Sequence, residues 1–144
     1  MPKNTENELG RLILKLANTI IKNRNRHLEA LDLTSGQADS LQFFLTHDQA
    51  TATELKEYLG ITHQTARGII QRMITKGLLE LHRSDTDARC QIVEVTPAGQ
   101  EMGLRMIANR ERTGGLLLQG MDATERKDFI RLLTKALANV SDDR

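Results

Sequence analysis

Between Thr51 and Thr96 the hydrophobic period of this chain changes from helical to alternating, and that switch limits the possible folds more than any other feature. The stretch reads TATELKEYLGITHQTARGIIQRMITKGLLELHRSDTDARCQIVEVT. Thr51 and Glu54 have the T-x-x-E spacing of a capping box, in which the hydroxyl accepts from the amide three residues on and the carboxylate reaches back to the cap amide. Leu55 and Leu59 then share one apolar stripe, and Gly60 supplies the left-handed residue that ends a helix. Ile61 is a plug for the core. Thr62 opens a second helix as its N-cap, and Ala66, Ile69, Ile70, Met73 and Ile74 form its buried face before Gly77 stops it. Two short helices joined by a glycine-containing turn make a helix-turn-helix candidate, with the second helix as the reader of a DNA groove.

The second helix leaves His63, Gln64, Thr65, Arg67, Gly68, Gln71, Arg72 and Lys76 exposed. Its early positions suit base edges: glutamine bonds adenine bidentately, arginine bonds guanine, and a threonine methyl touches thymine. Arg72 and Lys76, further along, suit phosphates. A solvated helix face carries the same residue types. Against that reading, the chain has 19 acidic residues and none between Gly60 and Leu79.

After Gly77, Leu79 and Leu81 alternate with Glu80 and His82, and Val93 and Val95 flank Glu94. This predicts a hairpin with one buried face. Its loop, Ser84 to Arg89, is polar and too long for a two-residue turn. Arg89 at such a tip is placed to enter a minor groove, where narrow A·T tracts concentrate negative potential. Asp87 cannot favour phosphate directly, and its expected role is to orient Arg89 or Arg72 by a charge-assisted bond.

Outside this block, Leu9, Leu12, Ile13, Leu16 and Ile20 mark a long amphipathic helix continuing toward Leu28 and Leu31, with Arg11, Lys15, Lys22, Arg24 and Arg26 on its other face. Thr34 and Gln37 again have capping-box spacing, ahead of a helix burying Ala38, Leu41, Phe44 and Leu45. Beyond the hairpin, Thr96 caps a helix with Pro97 at its first position. That helix runs through Met102, Met106 and Ile107 toward Leu118, and Gly114-Gly115 is expected to interrupt it, as a kink or a close crossing. Asp122 and Glu125 cap a last helix with a face of Phe129, Leu132, Leu133, Ala136, Leu137 and Val140. Three long helices with apolar faces exceed what a small winged-helix core needs. Two-fold dimerisation would cover them and set two reading helices about 34–36 Å apart.

Composition narrows the classes. The 144 residues fit one domain, residues 1–144, and 39% hydrophobic with 27% charged residues predicts a soluble globular chain. No apolar run approaches a membrane span of ~20 residues, and the start MPKNTENE lacks a secretory pattern, so a cytoplasmic location is expected. A net charge of +1 allows a local basic patch rather than a general nucleic-acid coat. Aromatic content of 3%, with no Trp, argues against single-strand or RNA stacking. The sequence has no Gly-rich phosphate loop, HExxH, CxxC or nucleophile elbow, so no catalytic residue, cofactor or enzyme activity is expected. His27, His47, His63 and His82 are widely spaced, and no metal is expected. Cys90, the sole cysteine, is expected to be a plain strand residue at the base of the hairpin, although Arg89 beside it would lower its pKa.

The run LGITHQTARGIIQRMITKGLLE, followed by DAR and VEVTPAG, resembles the MarR family of bacterial winged-helix transcription factors. The resemblance covers nearly the whole chain, and its motifs include an LTSGQ opening at Leu33–Gln37, like the start of the family's second helix, and Thr96-Pro97-x-Gly99, where the chain returns to a long helix. It implies a mainly α fold with a small β-hairpin wing: a winged helix-turn-helix lobe at 34–97, with dimerisation helices at 1–33 and 98–144. Double-stranded DNA and a second copy of the chain are the implied partners, with no membrane. Thr62, His63, Gln64, Thr65, Arg67, Gln71, Arg72, Lys76, Asp87 and Arg89 are the implied DNA contacts. The family also implies a phenolic or anionic effector between the dimer helices and the winged lobe, near Leu16, Ile20, His27, Phe44, His47 and Arg72. Peroxide-sensing members carry their cysteine in the first helix, and this first helix has none. Leu81 and Ala88 stand where the family often carries arginine, Ser84 where aspartate is frequent, and Gln71 where an acid is frequent, so this wing is less cationic than usual. The favoured expectation is a homodimeric repressor of a pseudo-palindromic operator, released by a ligand. The alternative is a winged-helix module that binds protein and uses DNA weakly or not at all.

Overall fold

The computed structural model describes residues 4–141, which form six helices and one hairpin: α1 (Thr5–Ala30), α2 (Ser35–Thr46), α3 (Ala52–Leu59), α4 (His63–Thr75), β1 (Leu79–Arg83), β2 (Gln91–Val95), α5 (Pro97–Leu117) and α6 (Ala123–Ser141). They fall into two compact units, Met1–Asn109 and Arg110–Arg144, and α5 runs from the first into the second.

In the first unit, helix starts follow local chemistry. The Asn4 side chain caps α1, and Thr34 and Thr51 close reciprocal capping boxes with Gln37 and Glu54 at α2 and α3. Each box satisfies two backbone donors that a helix end leaves unpaired. Gly60 ends α3 at φ +66°, a conformation that costs a residue with a Cβ roughly 1–2 kcal/mol. Side chains from α2, α3, α4 and the hairpin meet in one core, with Ala38, Leu41, Leu55, Ala66, Met73 and Leu79 at its fully buried centre. Ile61 packs against this core, half-buried, as the plug between α3 and α4. Of the face expected on α2, Ala38, Leu41 and Phe44 are buried and Leu45 is half-buried, and Phe43, which the periodicity does not single out, is buried as well.

The strands pair antiparallel, with Leu79 opposite Val95 and Leu81 opposite Val93. A further bridge joins Ala50 to Val93, whose amide donates to the Ala50 carbonyl at 2.8 Å. The buried face is shorter than the alternation predicts. Leu79 and Val93 are buried, whereas Leu81 is 40% exposed, because the core reaches only the root of the hairpin. Cys90 also departs from expectation: it lies outside β2, exposed in the loop.

Thr96 ties the end of the hairpin to the end of α4. Its hydroxyl donates to the Gly77 carbonyl at 2.6 Å and accepts from the Gly99 amide at 3.1 Å, capping α5. Its own amide donates to the Leu78 carbonyl at 3.1 Å. Gly99 sits against this junction so closely that a Cβ would lie 2.3 Å from the Leu78 carbonyl oxygen.

Within the second unit, α5 continues unbroken through Gly114 and Gly115, with the Leu118 amide bonded to the Gly114 carbonyl at 3.1 Å. Among the described residues nothing stands within 4 Å of a Cβ built at either glycine, so neither the expected interruption nor a close crossing is present there. Asp122 and Glu125 close a reciprocal box at the start of α6, with bonds of 2.8 and 3.1 Å. The 19-residue α6 buries none of its side chains, and Leu137 and Val140 are more than two thirds exposed. Among the described residues, no helix is long and apolar enough to cross a membrane.

Candidate nucleic-acid interface

Helix α4 presents two chemically distinct faces. Ala66, Ile70 and Met73 are buried, and Ile69 and Ile74 are packed against the core. Thr62, His63, Gln64, Thr65, Arg67, Gln71 and Arg72 are all exposed on the other side. Thr62 caps the helix by accepting from the Thr65 amide at 3.1 Å, and its hydroxyl donates to Thr65 Oγ1 at 2.7 Å. The first turn of α4 holds no acidic residue. Its partial positive end and its polar side chains therefore face solvent together, which suits an anionic partner.

Lys76 has a different setting from Arg67 and Arg72. Its Nζ donates to the Asp32 carbonyl and, at 2.9 Å, to Gln37 Oε1, and it lies 3.7 Å from the Asp32 carboxylate. Gln37 is buried and also closes the α2 capping box, so the C-cap residue of the reading helix is fastened to the α1–α2 turn. Arg24 makes a parallel link, reaching Asp39 Oδ1 at 2.7 Å and Ser35 Oγ at 2.9 Å.

The hairpin loop is organised by its own side chains. Ser84 Oγ accepts from the Thr86 and Asp87 amides, and Asp87 Oδ1 accepts from the Arg89 amide at 3.0 Å and from Arg89 Nε at 3.3 Å. Of the two expected partners of Asp87, the one it contacts is Arg89. The backbone bond from Arg89, then its side chain, and then the thiol of Cys90 at 3.6 Å hold the Asp87 carboxyl below its ordinary value of 3.8. The Arg89 side chain is 92% exposed at the tip.

On the outer face of the hairpin, His82 Nε2 lies 3.0 Å from Glu80 Oε1 and 3.4 Å from Glu94 Oε2. The bond to Glu80, helped by the charge of Glu94, raises the imidazole above its ordinary 6.5. Histidine spacing alone does not reveal this trio, because His82 is its one histidine and Glu94 comes from the other strand. Pairing Leu79 with Val95 from the alternation would have placed Glu80 across from Glu94.

The six residues expected around an effector are spread over several environments. Phe44 and His47 line a cavity of about 340 Å³ with Gln49, Val95 and Gln100. Leu16 and Ile20 are half-buried on α1, and Arg72 is exposed on α4. His27 Nε2 is enclosed, with no hydrogen-bond partner among the described residues. His47 stacks on Phe43 at 4.3 Å, with its Nδ1 2.9 Å from the Phe43 carbonyl oxygen.

A helix-turn-helix whose second helix is capped, exposed and free of acids, followed at once by a hairpin locked to its end, defines a winged helix-turn-helix of the transcription-regulator class. Residues 31–89 match the model of the MarR family. The chain belongs to the MarR family. Over 105 residues it is 30% identical to the HTH-type transcriptional repressor NicR of Pseudomonas putida, an alignment covering 73% of this chain and 66% of that repressor. A MarR family protein from Bacillus stearothermophilus has a similar structure, with a TM-score of 0.84 at 22% identity over 99% of both chains. An S. aureus MepR mutant bound to an oligodeoxyribonucleotide is similar with a TM-score of 0.72 at 21% identity, over 96% of this chain and 99% of that one.

Proposed function

We propose that this chain is a homodimeric, sequence-specific DNA-binding repressor. The observation that carries the proposal is the outward face of α4, where Thr62, His63, Gln64, Thr65, Arg67, Gln71 and Arg72 are exposed together with no acid among them. Gln64, Thr65 and Arg67 read base edges, and Arg72 contacts phosphate. Arg89, oriented by Asp87, reaches a minor groove from the wing. Lys76 acts from within the lobe, setting the angle of α4 through Gln37. The repressor named among the relatives and the MepR mutant bound to an oligodeoxyribonucleotide support this reading.

Residues 34–97 form the DNA-binding lobe, and 1–33 and 98–144 supply the dimer contacts. The exposed leucines of α1 and α6 support that division, since Leu12 and Leu137 are each about two thirds exposed in the single chain. A two-fold dimer would space the readers by about one DNA turn, ~34–36 Å, matching a pseudo-palindrome. A phenolic or anionic effector that binds one arrangement of the dimer better than the other releases the operator, needing a differential of only about 1–3 kcal/mol.

Footprinting on DNA flanking its own gene tests the proposal. A protected pseudo-palindrome, lost with Arg67→Ala in a protein that still folds, is the expected result. An affinity independent of salt would count against DNA binding altogether, because neutralised phosphates must release counterions. Such a result would favour the protein-binding alternative.

A further inference from the structure

The face of the hairpin opposite Leu79 and Val93 carries Glu80, His82 and Glu94, and the strand register makes that grouping obligatory. Glu80 and His82 are two residues apart on β1, so they point the same way, and Glu80 stands directly across from Glu94. Two carboxylates directly opposite on an antiparallel pair repel each other. Both nonetheless turn toward one imidazole nitrogen, at 3.0 and 3.4 Å, and one donor atom from each of the three residues lies within 4.8 Å of the others.

The separations of 3.0 and 3.4 Å lie close to those a metal ion needs, and exposed side chains can adjust to it. Donor atoms about 2.0–2.2 Å from a tetrahedral ion stand roughly 3.3–3.5 Å apart from one another. One imidazole nitrogen with two carboxylate oxygens suits zinc and its first-row neighbours, whereas calcium and magnesium prefer oxygen alone. Two carboxylates also balance a divalent charge. All three side chains are exposed, which leaves the remaining coordination positions to water. A cavity of about 380 Å³, lined by His82 and Glu94 together with Gln49 and Asp85, opens beside them.

We propose that Glu80, His82 and Glu94 form a divalent transition-metal site on the outer face of the wing, with zinc as the preferred ion and water completing its coordination. The site stands on the hairpin geometry alone and is independent of whether the lobe binds DNA.

Calorimetric titration of the chelator-treated 144-residue chain with Zn²⁺ alone tests this. One ion per chain is expected. His82→Ala should weaken binding by at least about 10-fold, since loss of even a supporting partner of a metal ligand costs about 10–100-fold. Glu80→Gln combined with Glu94→Gln should do the same, and circular dichroism should show both variants folded, because all three side chains are exposed. Zinc affinity unchanged by His82→Ala, or no uptake by the unaltered chain at millimolar Zn²⁺, would overturn the proposal.

Discussion

Lys76 Nζ donates to Gln37 Oε1 at 2.9 Å, joining residues 39 positions apart and fixing the end of the reading helix to the start of α2. Gln37 Oε1 accepts this bond and also one from the Thr34 amide at 3.3 Å, so one buried side chain serves both a helix cap and a tertiary link.

This arrangement separates two cations that composition alone treats alike. Lys76→Ala should lower unfolding stability by about 1 kcal/mol, the usual net worth of such hydrogen bonds, as measured by urea denaturation. Arg67→Ala should change stability by less than about 0.5 kcal/mol, as exposed substitutions do. In a binding assay it should cost about 1–3 kcal/mol with the specific operator. Equal stability losses for the two variants would contradict this division.

Gly99 and Gly103 are both buried on α5, but their surroundings differ. A Cβ at Gly99 meets the Leu78 carbonyl oxygen at 2.3 Å, and one at Gly103 meets the tip of the Leu45 side chain at 2.5 Å. Backbone cannot yield as a side chain can. Gly99→Ala should therefore destabilise by about 1–3 kcal/mol or more. For Gly103→Ala, repacking of Leu45 is offset by up to roughly 1 kcal/mol of helix propensity, so its melting temperature should fall less.

Among the described residues, nothing lies within 4 Å of a Cβ at Gly68, although it is in the middle of α4. Gly68→Ala should accordingly raise stability by up to about 1 kcal/mol. If the α4 backbone approaches DNA closely, the same variant binds more weakly while melting higher. Unchanged operator affinity would show that the glycine makes no such approach.

The lowered Asp87 pKa gives a pH signature at the wing tip. A carboxyl depressed in the folded state contributes its stability above the ordinary 3.8, and that contribution is lost as pH falls through the lower folded value. NMR titration of Asp87 should give a midpoint below 3.8. Arg89→Ala should recover only part of the shift, because the backbone amide at position 89, the largest cause, remains.

Local chemistry was the legible part of this fold. The boxes at Thr34 and Thr51, the cap at Thr62 and the buried stripe of α4 depend on residues three or four apart, and spacing reveals them. Leu81 was misplaced because alternation predicts which side a residue faces, not how far the covering core extends. The Gly114-Gly115 pair was misread for a related reason: two glycines cost only roughly 2 kcal/mol against alanine, and a 21-residue helix continues across them. Contacts such as Lys76 with Gln37, or Glu80 with Glu94, needed the three-dimensional pairing. In the candidate interface, the α4 residues were readable one by one, while the division of labour between Arg67 and Lys76 was not.

An α6 with no fully buried side chain depends on more than its own sequence. Short helices in water gain most of their stability from a packed face, so whatever covers α6 is part of its fold. Stability then follows mass action in the covering partner. If that partner is a second copy, the chain is least folded when scarce. Dilution would expose it to proteolysis, and its abundance would feed back on its own lifetime.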